Sequence, residues 1–356
     1  MAKVVKQDTN KCASCGAKLE FDPSIQKLRC VKCKASYDIE TQGEFVKHVY
    51  DDESVDKFDV SSEPVVFKCK TCGASINMDA YQIASMCPYC LSPCVIEVSE
   101  LPGLKPDAVV PFLITKDQVY NSYRQSVRKK FFLPNGFKKN VPVENIQGLY
   151  IPAFGFDSDT HSTYDGVLET DHQDKDGHTH TSTKHISGNI DLNQRDVLIE
   201  NCVSVSQKEL NDILPYNISS AVPYDNGYIQ GYTMSYYNEK VSYSHKKAEH
   251  AMDSTIRSSI LNKYSFYDRV RYLNVNTNFD NNKYCFYLLP MYRIKHVYKG
   301  KEYYNYLNGQ TGKSGGKVPR SGVKITFFII FIIALLGVIG YFLYRIGILN
   351  EILGEI

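Results

Sequence analysis

The chain has 356 residues, more than one ordinary domain needs, which leaves room for two or three compact units. Its formal net charge of +2 provides no overall basic charge for binding nucleic acid, so any such role would have to be local. No nucleophile with a neighbouring base emerges either, and we predict neither an enzyme nor a small-molecule substrate.

Cysteine is the strongest chemical signal in the sequence. Nine of the eleven cysteines lie from Cys12 to Cys94, and eight of these form Cys-x-x-Cys pairs. Such clustering is typical of metal sites. The first eleven residues hold three lysines and no apolar run, so we predict no secretory signal and a reducing compartment for the amino-terminal half.

Two cysteine modules repeat at a constant offset of 57 residues. Four thiolates at this spacing predict a closed tetrahedral site in each module, and hence two structural Zn²⁺ ions as cofactors. Iron in a rubredoxin-like site is the alternative. We therefore predict zinc ribbon 1 at residues 1–40 and zinc ribbon 2 at residues 67–100. The predicted ligands are Cys12, Cys15, Cys30 and Cys33, then Cys69, Cys72, Cys87 and Cys90.

Other residues near the modules carry secondary expectations. The glycine after Cys15 suits a backbone with positive φ, which turns amide protons toward the sulfurs. Cys94 is a fifth thiol that either substitutes for Cys90 or has no ligand role. The basic residues expected to offset the thiolate charge in the first module are Lys18, Arg29, Lys32 and Lys34.

Residues 41–66 form a predicted acidic linker, and residues 104–310 a predicted β-rich α+β domain. Apolar residues at four-residue steps predict helices near 116–131 and 239–264. Cys202 and Cys285 are predicted core residues. An apolar-proline segment at 150–152 is echoed at 288–290, which suggests a two-part β domain. Hairpin signals occur at 164–166, 225–227 and 298–300.

The middle domain also holds a histidine-rich stretch between residues 161 and 185. The alternating pair His178 and His180 could ligate a metal, but the same spacing suits an exposed hairpin, and nothing in the sequence fixes a ligand set. The histidines are His161, His172, His178, His180 and His185.

Residues 325–344 contain no charge and would span about 30 Å as a helix, so we predict one transmembrane helix. Residues 311–324 form a predicted basic flexible tether, and residues 345–356 a short extracytoplasmic tail. Four basic residues precede the helix and only Arg345 follows it, which predicts a single-pass protein of the cell membrane with its amino terminus in the cytoplasm.

The chain resembles the bacterial transcription-factor-IIB-type zinc-ribbon proteins, which are sometimes loosely described as primosomal-helicase-like. The likeness is carried by the Cys-x-x-Cys-Gly modules and by segments 149–152, 156–157, 214–216, 289–290 and 308–312. It implies zinc binding, membrane anchoring and partners similar to phage-shock protein A or flotillin. The chain departs from this pattern in having no tryptophan.

Together these features predict a multidomain α+β protein: two zinc ribbons, a β-rich middle domain and one transmembrane helix. The function that we expect is a cytoplasmic, membrane-anchored adaptor that binds protein partners at the bilayer in envelope stress. The alternative is nucleic-acid binding by the first ribbon, because residues 1–34 hold eight Lys or Arg against three acidic residues.

Overall fold

The computed structural model is an α+β structure with one dominant sheet and an apolar carboxyl-terminal helix, which confirms the predicted class. It describes residues 11–41, 43–51, 55, 65–68, 75–78, 82–86, 93–95, 104–139, 146–175, 177–202, 205–235 and 237–346.

The first cysteine module is a small antiparallel sheet. Strand β1 (Leu19–Asp22) pairs with β2 (Lys27–Cys30), and β2 pairs with β3 (Ser36–Tyr37). Its apolar side chains Leu19, Phe21 and Leu28 are buried together with Cys12 and Cys30. The module therefore shares a core with the middle of the chain.

The second module is described through its strands β5 (Val65–Lys68), β6 (Ser75–Met78), β7 (Gln82–Met86) and β8 (Pro93–Val95). β5 pairs with β6, and β7 pairs with β8, both antiparallel. Its cysteines Cys69, Cys72, Cys87 and Cys90 lie outside the described residues. Between the modules, β4 (His48–Val49) pairs with a strand of the middle domain, so this part of the predicted linker is hydrogen-bonded to the sheet.

Three long antiparallel strands form the centre of the molecule. β10 (Ile146–Gln173) lies between β11 (Thr179–Glu200) and β14 (Arg269–Tyr298). Short strands extend this sheet: β9 (Ala108–Val109), β12 (Val222–Pro223), β13 (Thr233–Ser235), β15 (Lys301–Asn308) and β16 (Ser314–Gly316). The sheet order is β12-β9-β14-β10-β13-β7-β8, with β11 on β10 and with β4 and β15 on β14.

The two apolar-proline segments that echo each other in the sequence are paired neighbours in this sheet. Pro152 of β10 lies opposite Leu288, and Pro290 of β14 lies opposite Tyr150. On the outer side of β10, β13 pairs up to Tyr150 and β11 begins at Ala153, so Pro152 falls between the two. A central strand tolerates proline there because no neighbouring carbonyl needs its missing N–H.

The six named helices are α1 (Lys116–Lys129), α2 (Asn135–Lys139), α3 (Gln207–Ile213), α4 (Asn226–Ile229), α5 (Val241–Asn262) and α6 (Gly322–Ile346). α1 and α5 confirm the two helices predicted from four-residue apolar steps. A capping box of Thr115 and Gln118 begins α1. The predicted apolar stripe of α5, with Ala248, Met252, Ile256 and Ile260, is buried.

Apolar residues fill both faces of the middle of the sheet. Tyr150, Phe154 and Phe156 belong to the cluster that includes α1 and the first module, whereas Leu149 and Ile151 face α3. Burial on both faces explains why these strands read as continuous apolar runs. Cys202 and Cys285 are buried in the second cluster, as predicted.

Two of the three predicted hairpin turns are wrong. Lys299 and Gly300 do turn the chain between β14 and β15, both with positive φ. Residues 164–166 instead lie inside β10, where a Cβ on Gly166 would come within 2.7 Å of the Tyr272 carbonyl oxygen. Residues 225–227 begin α4, with Asp225 accepting a hydrogen bond from the Gly227 N–H.

The apolar helix α6 is long and apolar enough to cross a membrane. The qualifying span is Gly322–Phe342, with a mean hydropathy of 2.7, and none of its hydrophobic window is buried. A soluble core helix with this composition would be buried. Before α6, residues 314–316 of the predicted tether form β16 and pair with β15, so this part of the segment belongs to the sheet.

Candidate metal centre

The four cysteines of the first module converge on one point. The sulfurs of Cys12, Cys15, Cys30 and Cys33 all lie within 4.8 Å of one another. The Cys12–Cys33 and Cys15–Cys30 sulfur pairs are 3.5 Å apart, far longer than a disulfide bond. Four sulfurs around one tetrahedral zinc ion would be roughly 3.8 Å apart, given Zn–S bonds near 2.3 Å. The observed spacing therefore fits a metal ion bound by four thiolates.

Two backbone turns of the same kind present the sulfurs. In the first turn, the Cys12 N–H donates to the Ala17 carbonyl at 2.7 Å and the Gly16 N–H donates back to the Cys12 carbonyl at 2.8 Å. The second turn repeats both bonds eighteen residues later, from Cys30 to Ala35 and from Lys34 to Cys30. The backbone positions of the cysteines are thus fixed by hydrogen bonds within each turn.

The fifth residue of each turn has a left-handed backbone. Gly16 has a φ of 70°, which confirms the positive φ predicted for the glycine after Cys15, and Lys34 has a φ of 63°. Only glycine adopts this conformation without strain. The second turn is therefore the less relaxed of the two.

The site has one buried side and one exposed side. Cys12 and Cys30 are buried, whereas Cys15 and Cys33 are exposed to solvent. The hydroxyl of Tyr37 lies 3.2 Å from the Cys12 sulfur, and the Cys33 N–H donates to the Cys30 sulfur at 3.4 Å. Closed coordination by four thiolates leaves no position for a substrate.

The cysteine thiols differ in pKa because their sulfurs lie close together. The hydrogen bond from Tyr37 lowers the pKa of the Cys12 thiol to about 6. The Ala35 N–H favours the Cys33 thiolate, but the neighbouring sulfurs, Cys12 first among them, raise the Cys33 pKa to about 12. Negative charges this close cannot all be carried unless a cation lies among them. The donor set therefore fits a metal ion.

The basic residues of the module are mostly satisfied by nearby acids. Arg29 lies 2.6 Å from Asp22, and Lys18 lies 3.1 Å from Glu20. The Lys34 ammonium donates to the Val31 carbonyl at 3.2 Å. The expectation that Lys18, Arg29, Lys32 and Lys34 offset the thiolate charge stays a prediction.

The module is fixed to the middle domain through the segment that follows α4. The Phe21 N–H donates to the Gln230 carbonyl at 3.0 Å, and the Phe21 ring lies 5.3 Å from that of Tyr228. The Gln26 amide also donates to the Phe112 carbonyl at 2.8 Å. A few residues further on, β13 pairs with β7 of the second module. Residues 228–235 therefore contact both cysteine modules.

The strand register extends the 57-residue repeat from sequence to backbone. Lys11 pairs with Lys18 around the first cysteine pair, and Lys68 pairs with Ser75 around the corresponding pair in the second module. In the same way, Arg29 opposite Ser36 corresponds to Met86 opposite Pro93. At this offset Cys94 stands where the first module has Tyr37, the residue beside the Cys12 sulfur.

The histidine-rich stretch forms no comparable cluster. Among the described residues, the four cysteines are the one group of three or more His, Cys, Asp or Glu side chains close enough to share a metal ion. His180 lies 2.9 Å from Asp174, His161 lies 3.0 Å from Asp191, and both histidines are exposed on the β10–β11 hairpin. Sequence reasoning did not anticipate that Tyr37 contacts the site, because only the fold brings it near.

No family model matches the chain, and no solved structure matches it. It is similar to a protein of Bacillus subtilis (strain 168) named uncharacterized protein YdjG. The two are 28% identical over 321 residues, which cover 88% of this chain and 91% of the relative. The likeness therefore extends over nearly the full length of both proteins.

Proposed function

We propose that the protein is a membrane-anchored adaptor, in which two zinc ribbons and the large sheet form a cytoplasmic docking unit. α6 would span the bilayer once, with residues 345–356 on the far side. The observation that carries this proposal is the closed group of four cysteines, packed on the sheet body of a chain that continues into an exposed apolar helix.

The closed cysteine group supports a structural role for the metal. Zn²⁺ bound by four thiolates would supply folding free energy, on the order of 10 kcal/mol for a ribbon of this size. Because Cys12 and Cys30 lie in the same core as Leu19 and Phe21, that stabilisation extends to the contact with residues 228–235. Zinc is proposed over iron because Zn²⁺ is the usual ion of closed structural sites built from four cysteines at this spacing.

The distribution of charge supports the orientation. Lys313, Lys317, Arg320 and Lys324 precede or begin α6, and Arg345 alone stands near its end. By the positive-inside rule the large domain lies in the cytoplasm. Reduced thiols, which zinc binding requires, persist in that compartment.

An adaptor role fits a closed four-cysteine site, because four thiolate ligands leave no open metal position for a substrate. We propose protein partners of the kind the family resemblance implies, similar to phage-shock protein A or flotillin. Nucleic-acid binding by the first ribbon is less favoured, because Lys18, Lys27 and Arg29 are already engaged by Glu20, Asp38 and Asp22. Phosphate contacts would have to compete with these carboxylates.

The test is metal content and partner recovery measured on the same sample. Full-length protein is crosslinked in its own membrane, extracted with detergent and purified, and Zn and Fe are measured per chain. Cys15→Ser and Cys72→Ser remove one predicted ligand each. Ala13→Ser is the matched control, since it places the same side chain in the first turn without removing a sulfur.

We expect zinc in the wild type and in Ala13→Ser, with about one zinc ion fewer per chain in each cysteine variant. The crosslinked partner should be lost with the metal. Wild-type protein without bound zinc would contradict the zinc assignment. Equal partner recovery from all variants would contradict the docking role of the ribbons, and retention of the wild type on DNA at about 0.15 M salt would favour the nucleic-acid alternative.

A further inference from the structure

The start of α6 is fastened to the connection between α1 and α2. The Ser321 N–H donates to the Phe132 carbonyl at 2.8 Å. The Lys324 ammonium donates to the Leu133 carbonyl and to the Asn135 side chain, both at 2.8 Å, and to the Phe131 carbonyl at 3.2 Å. The connecting loop, residues 130–134, is thus held where the apolar helix begins.

This attachment sets the depth of the loop relative to the span. The ring of Phe132 packs edge-on against Phe328 of α6, with centroids 5.3 Å apart. Phe328 lies three residues beyond Ile325, the first residue of the uncharged run, which is about 4.5 Å along the helix axis. A side chain that contacts Phe328 therefore lies at the boundary of the hydrocarbon layer whenever α6 crosses a bilayer.

Next to Phe132, the ring of Phe131 is largely exposed. Its side chain is 64% exposed, at the tip of a loop where polar residues would be ordinary. The Lys324 ammonium lies 5.9 Å from the Phe131 ring centroid, which places a cation at the level of the lipid headgroups. An exposed aromatic ring beside a basic group is typical of an interfacial membrane contact.

Positive charge surrounds the loop on both sides. From residue 124 to 139 the chain has six Lys or Arg and no acidic residue, and four more cations precede or begin α6 without an acid among them. The six are Arg124, Arg128, Lys129, Lys130, Lys138 and Lys139. Burial and the charge of Lys324 lower the pKa of Lys138, which shows that like charges are crowded here.

We propose that residues 128–139 form a second membrane contact. Phe131 and Phe132 enter the interface of the leaflet that α6 enters first, and the flanking lysines and arginines bind the headgroups of anionic phospholipids. This contact rests on the proposed transmembrane placement of α6. Together the helix and the loop fix how the large domain is oriented on the membrane, which a single helix with a free tether would leave undefined.

The chain contains no tryptophan, so each introduced tryptophan reports on one place. Full-length Phe131→Trp is reconstituted in phosphatidylcholine vesicles with and without phosphatidylglycerol, and its fluorescence is quenched with lipids brominated at known depths. Phe331→Trp reports on the span itself. Phe266→Trp is the matched control, because Phe266 is 89% exposed and lies beside Tyr267 and Asp268 at the far end of β10.

With phosphatidylglycerol present, we expect the emission of Phe131→Trp to shift to the blue and to be quenched severalfold more by shallow bromines than that of Phe266→Trp. Phe331→Trp should be quenched by deep bromines in both lipids. Quenching of Phe331→Trp without quenching of Phe131→Trp overturns the second contact and leaves the span intact. Failure of Phe331→Trp to be quenched overturns the span and this contact together.

The anionic-lipid requirement is tested by adding Lys129→Gln and Lys130→Gln to Phe131→Trp. We expect the quenching in phosphatidylglycerol vesicles to fall to the level in pure phosphatidylcholine. The matched pair Lys175→Gln and Lys184→Gln removes the same charge from the distant hairpin and should leave the quenching unchanged. Equal quenching in both lipids and in both charge variants would overturn the headgroup assignment.

Discussion

At the scale of single residues, the two turns of the cysteine site differ at one position. Gly16 and Lys34 occupy the same left-handed place eighteen residues apart. A Cβ on Gly16 would meet no atom within 4 Å, so substitution there changes the backbone energy without a clash. Substitutions at these two positions therefore measure the free-energy cost of placing a non-glycine residue in a left-handed conformation beside the thiolates.

We expect Gly16→Ala to weaken metal binding about fivefold, because the left-handed backbone costs alanine about 1 kcal/mol. Lys34→Gly should strengthen it by a similar factor, since it relieves the same strain. Competition with a chromophoric chelator measures both. If Lys34→Gly also weakens binding, the contact of its ammonium with the Val31 carbonyl outweighs the strain.

A second residue with an unusual environment is His296, a buried polar side chain in the core. His296 of β14 is buried and stacks on Phe137 with ring centroids 3.7 Å apart, and neither ring nitrogen has a hydrogen-bond partner among the described atoms. Burial lowers the pKa of His296 below its usual 6.5. Below pH 6.5 His296 binds a proton in the unfolded chain but not in the folded chain. The free energy of unfolding therefore falls as the pH falls.

His296→Phe should therefore raise the free energy of unfolding by about 1 kcal/mol at neutral pH, because it removes two unpaired polar atoms. The substitution should also reduce the fall in the free energy of unfolding as the pH drops below 6.5. Urea unfolding of detergent-solubilised protein across this pH range measures both effects. Exposed His185→Gln serves as the control, and an unchanged acid slope in His296→Phe would show that other groups set it.

At the scale of elements, the sequence predicted what local periodicity and spacing determine. α1 and α5 followed from apolar residues one turn apart, and the positive φ of Gly16 followed from the knuckle. Gly166 misled the turn prediction because it allows β14 to approach β10, a requirement set by a strand more than a hundred residues away. Asp225 caps α4 by accepting from the Gly227 N–H, so the Asp-Asn-Gly sequence begins a helix instead of a hairpin turn.

The segment between the modules is a second case in which local sequence could not predict a tertiary contact. Its acidic composition predicted a solvated linker, yet the Lys47 ammonium lies 2.9 Å from Asp157 and 2.6 Å from Asp196, and β4 pairs with β14. Asp157 is 8% exposed and also accepts from the Asp196 N–H. No pattern in residues 41–66 could reveal partners a hundred residues ahead.

Lys47→Met should lower the free energy of unfolding by about 2 kcal/mol, because it leaves the Asp157 carboxylate buried without its cation. Adding Asp157→Asn should restore part of the loss. The two aspartates raise the Lys47 pKa despite its burial, so the contribution of the lysine charge is complete just below pH 10.5 and is lost as the pH rises through the raised pKa. A double-mutant cycle by urea unfolding at pH 7 measures it, and simple additivity of the two changes would show that the pair does not interact.

At the scale of the whole molecule, the long strands separate the α6 end of the sheet from the histidine-rich hairpin. β10 runs for 28 residues, a contour of about 90 Å at roughly 3.3 Å per residue. The end at Ile146 lies opposite Ile294 of β14, close to His296, which stacks on α2, and α2 in turn contacts the start of α6. The other end carries the exposed hairpin with His180 and Asp174. The span and the cysteine spacing were readable from sequence, whereas this separation depends on strand pairing.

The proposed orientation can be tested with the chain's own cysteines, because all eleven precede α6 and the last is Cys285. If the large domain is cytoplasmic, a membrane-impermeant maleimide applied together with a metal chelator, which frees the zinc-bound thiols, should leave the wild type unlabelled in intact cells and label it once the cells are permeabilised. Asn350→Cys places a thiol beyond the helix and should be labelled in intact cells.

Asn350→Ser, which adds a hydroxyl at the same position, controls for any effect of the substitution itself. If Asn350→Cys is labelled only after permeabilisation, its thiol lies on the cytoplasmic side. Labelling of wild-type Cys15 or Cys33 in intact cells would place the large domain outside the cell. Either result contradicts the proposed topology, since the cations ahead of α6 would then fail to hold the domain on the cytoplasmic side of the bilayer.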